Sequence, residues 1–152
     1  MDQKKAYLKS KLVEFQIKIA ELTSEMREQE DSYQTREKTL FLSLFEVLDA
    51  FENLDDMIKS KEDRLDKSSR RMAKNIRNIN KKLVRILKTH HITPIALKEG
   101  KARMEYCKIA DTRQADDMEN ETILDVIKKG YRDNRKDIVL RKAEVITVLN
   151  DE

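Results

Sequence analysis

The chain has 152 residues, of which 40% are charged, 39% hydrophobic and only 5% aromatic, with no tryptophan. Lysine and arginine total 32 against 29 acids, and the net charge of +3 is dispersed rather than gathered in one basic tract. That argues against an aromatic-packed compact domain and against a nucleic-acid binder, which needs a concentrated basic face. It leaves a disordered chain or an elongated helical one, and the hydrophobic periodicity selects the second.

The first element is a helix. Leu8, Leu12, Phe15, Ile19, Leu22 and Met26 alternate at intervals of four and three, which is a heptad seam. So narrow a stripe cannot bury itself, so a partner helix is expected. Beyond Met26 the seam weakens: Tyr33 and Leu40 keep one set of core positions while Gln29 and Arg36 occupy the other. Residues 1–38 are therefore read as a coiled-coil dimerisation helix.

The segment "LFLSLFEVLDAFENLDDMI" is far more apolar, and its broad face includes Leu44, Leu48 and Phe51. It reads as a helix buried on more than one side. "KSKEDRLD" is a polar turn. A second helix starts near Ser68 and ends near His91, with Met72, Ile76, Ile79, Leu83, Ile86, Leu87 and His90 expected on one face. Residues 39–93 thus form a helical hairpin. Two chains would supply four helices and a closed core, so a homodimer is the simplest way to satisfy both hairpin and seam.

Pro94 is the first breaker of either kind, and Gly100 follows. From there β-branched residues cluster, and strands are expected near 104–110, 122–129 and 137–149. Residues 94–152 read as a small β-domain whose core is marginal alone. The fold class is α+β: a long N-terminal helix, a helical hairpin, then the β-domain.

No catalytic constellation emerges. The two glycines lie 30 positions apart, so there is no phosphate-cradling loop. His90 and His91 are adjacent and point apart on a helix, so the reading is a helix C-terminus rather than a metal site. Cys107 lacks a second thiol or a neighbouring base, which suits a packed strand residue and a reducing compartment. The acidic clusters lack the alternating ligands and glycine of a calcium loop. "MDQKKAYLKSKLVEF" is charged throughout, and no apolar run is long enough for a bilayer. The expectation is a cytoplasmic non-enzyme with no cofactor, no metal, no nucleic acid and no membrane association.

Four stretches then carry a resemblance: "LFEVLDAFENL" (44–54), "KKLVRILKTHHITPI" (81–95), "DVIKKGY" (125–131) and "IVLRKAEVITV" (138–148). With the order of elements, they resemble the GrpE family, the nucleotide exchange factors of DnaK-type Hsp70 chaperones. The resemblance implies a parallel homodimer with paired long helices, a four-helix bundle and a β-domain wing on each chain. It implies that one wing presses on the Hsp70 nucleotide-binding domain, opens its cleft and releases ADP. It puts Leu8, Leu12, Phe15, Ile19, Leu22, Met26, Leu44, Leu48 and Phe51 in the dimer interface, and Lys129, Tyr131, Leu140 and Arg141 on the partner-facing wing. For Arg141 a solvated charge that blunts a sheet edge stays equally open. The other function class left open is a homodimeric scaffold that keeps the fold without exchange activity.

The departures from the family pattern lie in the wing. Met104 and Cys107 stand where proline and histidine are usual, Glu121 where glycine is usual, and Lys142 where proline is usual. The connection from Tyr131 to Arg141 is also longer. They imply a divergent member serving a specialised Hsp70-like partner. Gly130 is expected to end a strand at a turn that needs a positive φ, with the Tyr131 ring over the core and its hydroxyl in water.

Overall fold

The computed structural model describes residues 1–97 and 100–150. Helix α1 spans Asp2–Ser60 and a single 3-10 turn spans Glu62–Arg64. Helix α2 spans Lys67–Thr89. Among the described residues six strands follow: β1 Ile92–Pro94, β2 Cys107–Arg113, β3 Ile123–Lys128, β4 Tyr131–Asp133, β5 Ile138–Arg141 and β6 Ala143–Val148. The chain forms two compact units, Met1–Leu40 and a second beginning at Phe41.

The first unit is helix alone. Its side chains are almost all exposed, and Lys11–Glu14 and Lys18–Glu21 pair along its surface. Such pairs contribute only tenths of a kcal/mol. No glycine or proline interrupts the sequence, and straight-chain helix formers dominate it.

In the second unit, α1 and α2 form the hairpin. Asp66 caps α2 by accepting a hydrogen bond from the Ser69 amide at 2.7 Å. The other end closes through His91, which adopts a φ of 63° while its amide bonds to the Lys88 carbonyl. A non-glycine residue thus takes the left-handed position that usually stops a helix. One face of α2 packs inward through Ala73, Ile76, Asn80, Leu83 and Leu87, at heptad spacing. The single face expected from the sequence divides in two: Met72, Ile79 and Ile86 stay exposed, one heptad apart.

Asp55 on α1 ties the hairpin to Arg77 on α2 and also pairs with Lys59. The Arg77 hydrogen bond, then that of Lys59, holds the Asp55 carboxyl below its ordinary 3.8. A lowered folded-state pKa contributes stability that is whole above the ordinary value and lost as pH falls through the folded one. Thermal melts of wild type and Asp55→Asn should therefore differ at pH 5 and converge as pH drops well below 3.8. A gap that persists unchanged in acid would contradict that coupling.

The strands form two three-stranded sheets, ordered β1-β4-β5 and β2-β6-β3. The first is antiparallel; in the second, β6 runs parallel to β2 and antiparallel to β3. Pro94 sits on β1, an edge strand, where a missing amide donor is tolerated. The single strand expected over 137–149 is two strands in different sheets, with Lys142 between them. The three-residue strands β1 and β4 are too short to show a period.

The chain passes from the first sheet to the second between β1 and β2 and then makes two tight crossings, the first at Gly130 between β3 and β4 and the second at Lys142 between β5 and β6. The two crossings press together. A Cβ on Gly130 would lie 2.6 Å from the Ala143 amide nitrogen, 2.9 Å from Ile95 Cδ1 and 3.0 Å from the Arg141 carbonyl oxygen. Gly130 does not have the positive φ expected of it; the reason for glycine is close backbone approach.

Two cores result. Phe41, Phe45 and Leu48 of α1 meet Leu87, Ile92, Tyr131 and Leu140. Cys107, Ala143 and Val145 form the second core, flanked by Leu97, Ala102, Tyr106 and Ile123. Each fully buried aliphatic or aromatic side chain contributes about 1.5–3 kcal/mol relative to exposure. Cys107 is buried in this core, which matches a packing role.

Glu121 has a φ of 67°. Its amide bonds to the Val148 carbonyl and its carbonyl accepts from Ala102, so neighbouring chain holds it there. A side-chain-bearing residue in that region costs about 1–2 kcal/mol. Glu121→Gly, the residue usual in the family, should therefore raise stability by about 1 kcal/mol in urea denaturation. An unchanged or lowered midpoint would contradict the strain.

Candidate functional site at the joint of helix and sheet

Four residues expected on the partner-facing wing, Lys129, Tyr131, Leu140 and Arg141, come together where the first sheet lies on α1. Tyr131 and Leu140 belong to the core. Helix α1 meets them with Phe45, Leu48, Asp49 and Glu52, which recur on one face at helical spacing.

Arg141 is the centre of the joint. Its two terminal nitrogens donate to the two Asp49 carboxylate oxygens, each at 2.7 Å. The same guanidinium donates twice more, from Nε and Nη2, to the Lys129 carbonyl at 3.1 and 2.8 Å. Its carbon lies 5.4 Å from the ring centroids of both Phe45 and Tyr131. Those rings stack at 4.2 Å with planes 9° apart. Arg141 is thus neither a free cation for a partner nor a solvated edge charge. The side chains of Arg141 and Asp49 are only 17% and 16% exposed. One turn along α1, Glu52 pairs with Lys129 Nζ at 2.7 Å in a wetter setting.

Tyr131 is almost wholly buried, with its ring in the core as expected from the sequence. Burial, then the Glu52 carboxylate, outweigh Arg141 and push the Tyr131 phenol up to about 12. The residue stays neutral at physiological pH. Its work here is aromatic surface beneath a cation.

Two of the departures from the family pattern, Met104 and Lys142, meet. Lys142 Nζ donates to the Met104 carbonyl at 2.6 Å, tying the second crossing to the turn that leads into β2. Asp133 is buried, and its carboxylate accepts from the amides of Arg135 and Lys136, which folds the tip of the longer β4–β5 connection. Asn134 Nδ2 at that tip donates to Thr93 Oγ1 on β1.

The residues expected in a dimer interface divide by exposure. Leu48 is buried in the chain's own core, and Leu44 and Phe51 are half-buried. Leu8, Leu12, Phe15, Ile19, Leu22 and Met26 are exposed. Counting in sevens from Leu12 gives Ile19, Met26, Tyr33, Leu40, Val47 and Leu54, all apolar and between 38% and 70% exposed. Among the described residues no cluster of histidine, cysteine and acid could hold a metal ion, and no helix is long and apolar enough to cross a membrane.

Asp49, Glu52 and Phe45 were not singled out by the sequence as partners of the strands. The usable signal is two acids three positions apart inside an apolar motif, on the same face as Phe45 and Leu48.

The sequence has a counterpart among known proteins: the model of the GrpE family matches residues 1–148. The chain belongs to the GrpE family. It is also 31% identical over 102 residues to "Protein GrpE" of Methanosphaera stadtmanae. That match covers 67% of this chain and 56% of the relative, so it spans little more than half of the relative's length. All eight residues that meet at the joint of this GrpE-family chain, Phe45, Leu48, Asp49, Glu52, Lys129, Tyr131, Leu140 and Arg141, fall within the stretches that carried the resemblance.

Proposed function

We propose that this chain is an adenyl-nucleotide exchange factor that drives ADP from a DnaK-type Hsp70, working as a homodimer through its β-domain. Family membership across residues 1–148 is the observation that carries the reading. The chemistry agrees with it: a factor of this kind needs no active site, only tighter binding to the open, nucleotide-free partner than to the closed one. Each tenfold weakening of ADP requires about 1.4 kcal/mol of such preference. The altered positions Met104, Cys107, Glu121 and Lys142 lie in the β-domain, which supports a partner of specialised sequence.

The exposed stripe from Leu12 to Leu54 supports the homodimer, because a soluble helix rarely leaves apolar residues at every heptad without a mate. Met72, Ile79 and Ile86 give α2 a second such stripe. Sedimentation at micromolar concentration should give twice the chain mass, and Ile19→Asp should lower helical pairing of the first unit. A monomer mass would refute the dimer, and pairing untouched by the charge would refute the seam.

The activity is read with a DnaK-type Hsp70 of the same organism loaded with fluorescent ADP. Catalytic amounts of the chain should speed ADP release. Binding with no change in release would instead identify a scaffold.

A further inference from the structure

We infer that the Asp49–Arg141 clamp is a positioning device: it fixes the orientation of the first sheet on α1, so that a push on the β-domain is delivered to the partner instead of being lost in rotation. The functional half of this inference rests on the exchange reading above.

A bidentate guanidinium–carboxylate pair has a defined plane and direction, which apolar contact lacks. Here one guanidinium joins three parts of the fold: Asp49 on α1, the Lys129 carbonyl before the first sheet crossing, and its own strand β5. The stacked rings of Phe45 and Tyr131 sit against it. Glu52–Lys129 adds a tie one helical turn away. Two ties at different heights on one helix oppose rotation about either one. Poorly hydrated ion pairs are weak devices for stability, because apolar residues of similar volume often serve as well. What such residues do not reproduce is the direction.

That contrast supplies the test. In Asp49→Leu/Arg141→Met the joint stays filled but loses its directional bonds, while Asp49→Glu keeps the charge and displaces it by one methylene. Amide residual dipolar couplings on the full chain report orientation independently of any partner. In wild type, α1 from Phe41 onward and the first sheet should fit one alignment tensor; in the double variant the sheet's couplings should shrink and require their own. With Hsp70 carrying fluorescent ADP, the maximal stimulation of release should fall about tenfold, within the ordinary range of coupling between sites. The half-saturating concentration should stay within about twofold, since the Arg141 and Asp49 side chains, 17% and 16% exposed, offer a partner little surface. Asp49→Glu should fall between the two.

A single tensor in the folded double variant would overturn the inference whatever the exchange assay shows. So would full stimulation, or a loss entirely explained by weaker binding. No stimulation by wild type would sink the exchange reading instead, and the dipolar couplings would then judge the positioning role alone.

Discussion

Replacing Gly130 with alanine should destabilise the β-domain by about 3 kcal/mol, near the upper end of what overpacking costs. The added methyl would meet the Ala143 amide at 2.6 Å and the Arg141 carbonyl at 3.0 Å. Both are backbone atoms at the second sheet crossing, and no rotamer change can move them. Relief therefore requires the two crossings to separate, which disturbs Arg141 and its bond to Asp49. Gly100 is the control. Its φ is 67° but a Cβ there meets nothing within 4 Å, so Gly100→Ala should cost only the left-handed strain of about 1 kcal/mol. Urea denaturation at one fixed protein concentration measures both. Equal costs at the two glycines would contradict the close-approach explanation.

Phe45→Ala should cost about 4 kcal/mol, in the range for removing a fully buried aromatic ring. Phe45 has no exposed surface and is stacked on Tyr131. Its loss leaves a cavity between α1 and the first sheet and removes one ring from beside a poorly hydrated guanidinium. Phe45→Leu should recover much of the loss by refilling volume, without the stacking. A Phe45→Ala cost below about 1 kcal/mol would mean that the site collapses freely, contrary to the packing of this core.

The helical half of the fold was legible because its signal is local and periodic. The seam from Leu8 to Met26 needs only the sequence, and the break at Pro94 falls where helix has already given way to strand. The split of α2 into two faces was not legible. Heptad spacing shows that Met72, Ile76, Ile79 and Leu83 share a broad side, but not which of them meets α1. The double crossing between sheets was hidden as well. "IVLRKAEVITV" is rich enough in β-branched residues to read as one strand, and only pairing to different neighbours divides it at Lys142.

The role of Arg141 was hidden for a related reason. Asp49 lies 92 positions away, and neither residue advertises the other. Tyr131 and Gly130 were flagged as unusual by their setting in the sequence, yet the physical reason differed in each case. Gly130 serves contact rather than a turn conformation. The ring of Tyr131 covers the core as expected, but it is stacked on Phe45 and almost wholly buried.

The proposed preference of this GrpE-family chain for the open form of an Hsp70 is tested most directly by reciprocity. The affinity of the chain for the Hsp70 nucleotide-binding domain should be measured by calorimetry without nucleotide and with saturating ADP. The expected result is weaker binding in ADP, by the same factor by which the chain weakens ADP at equilibrium. Equal affinity under the two conditions would contradict exchange, however tightly the two proteins bind.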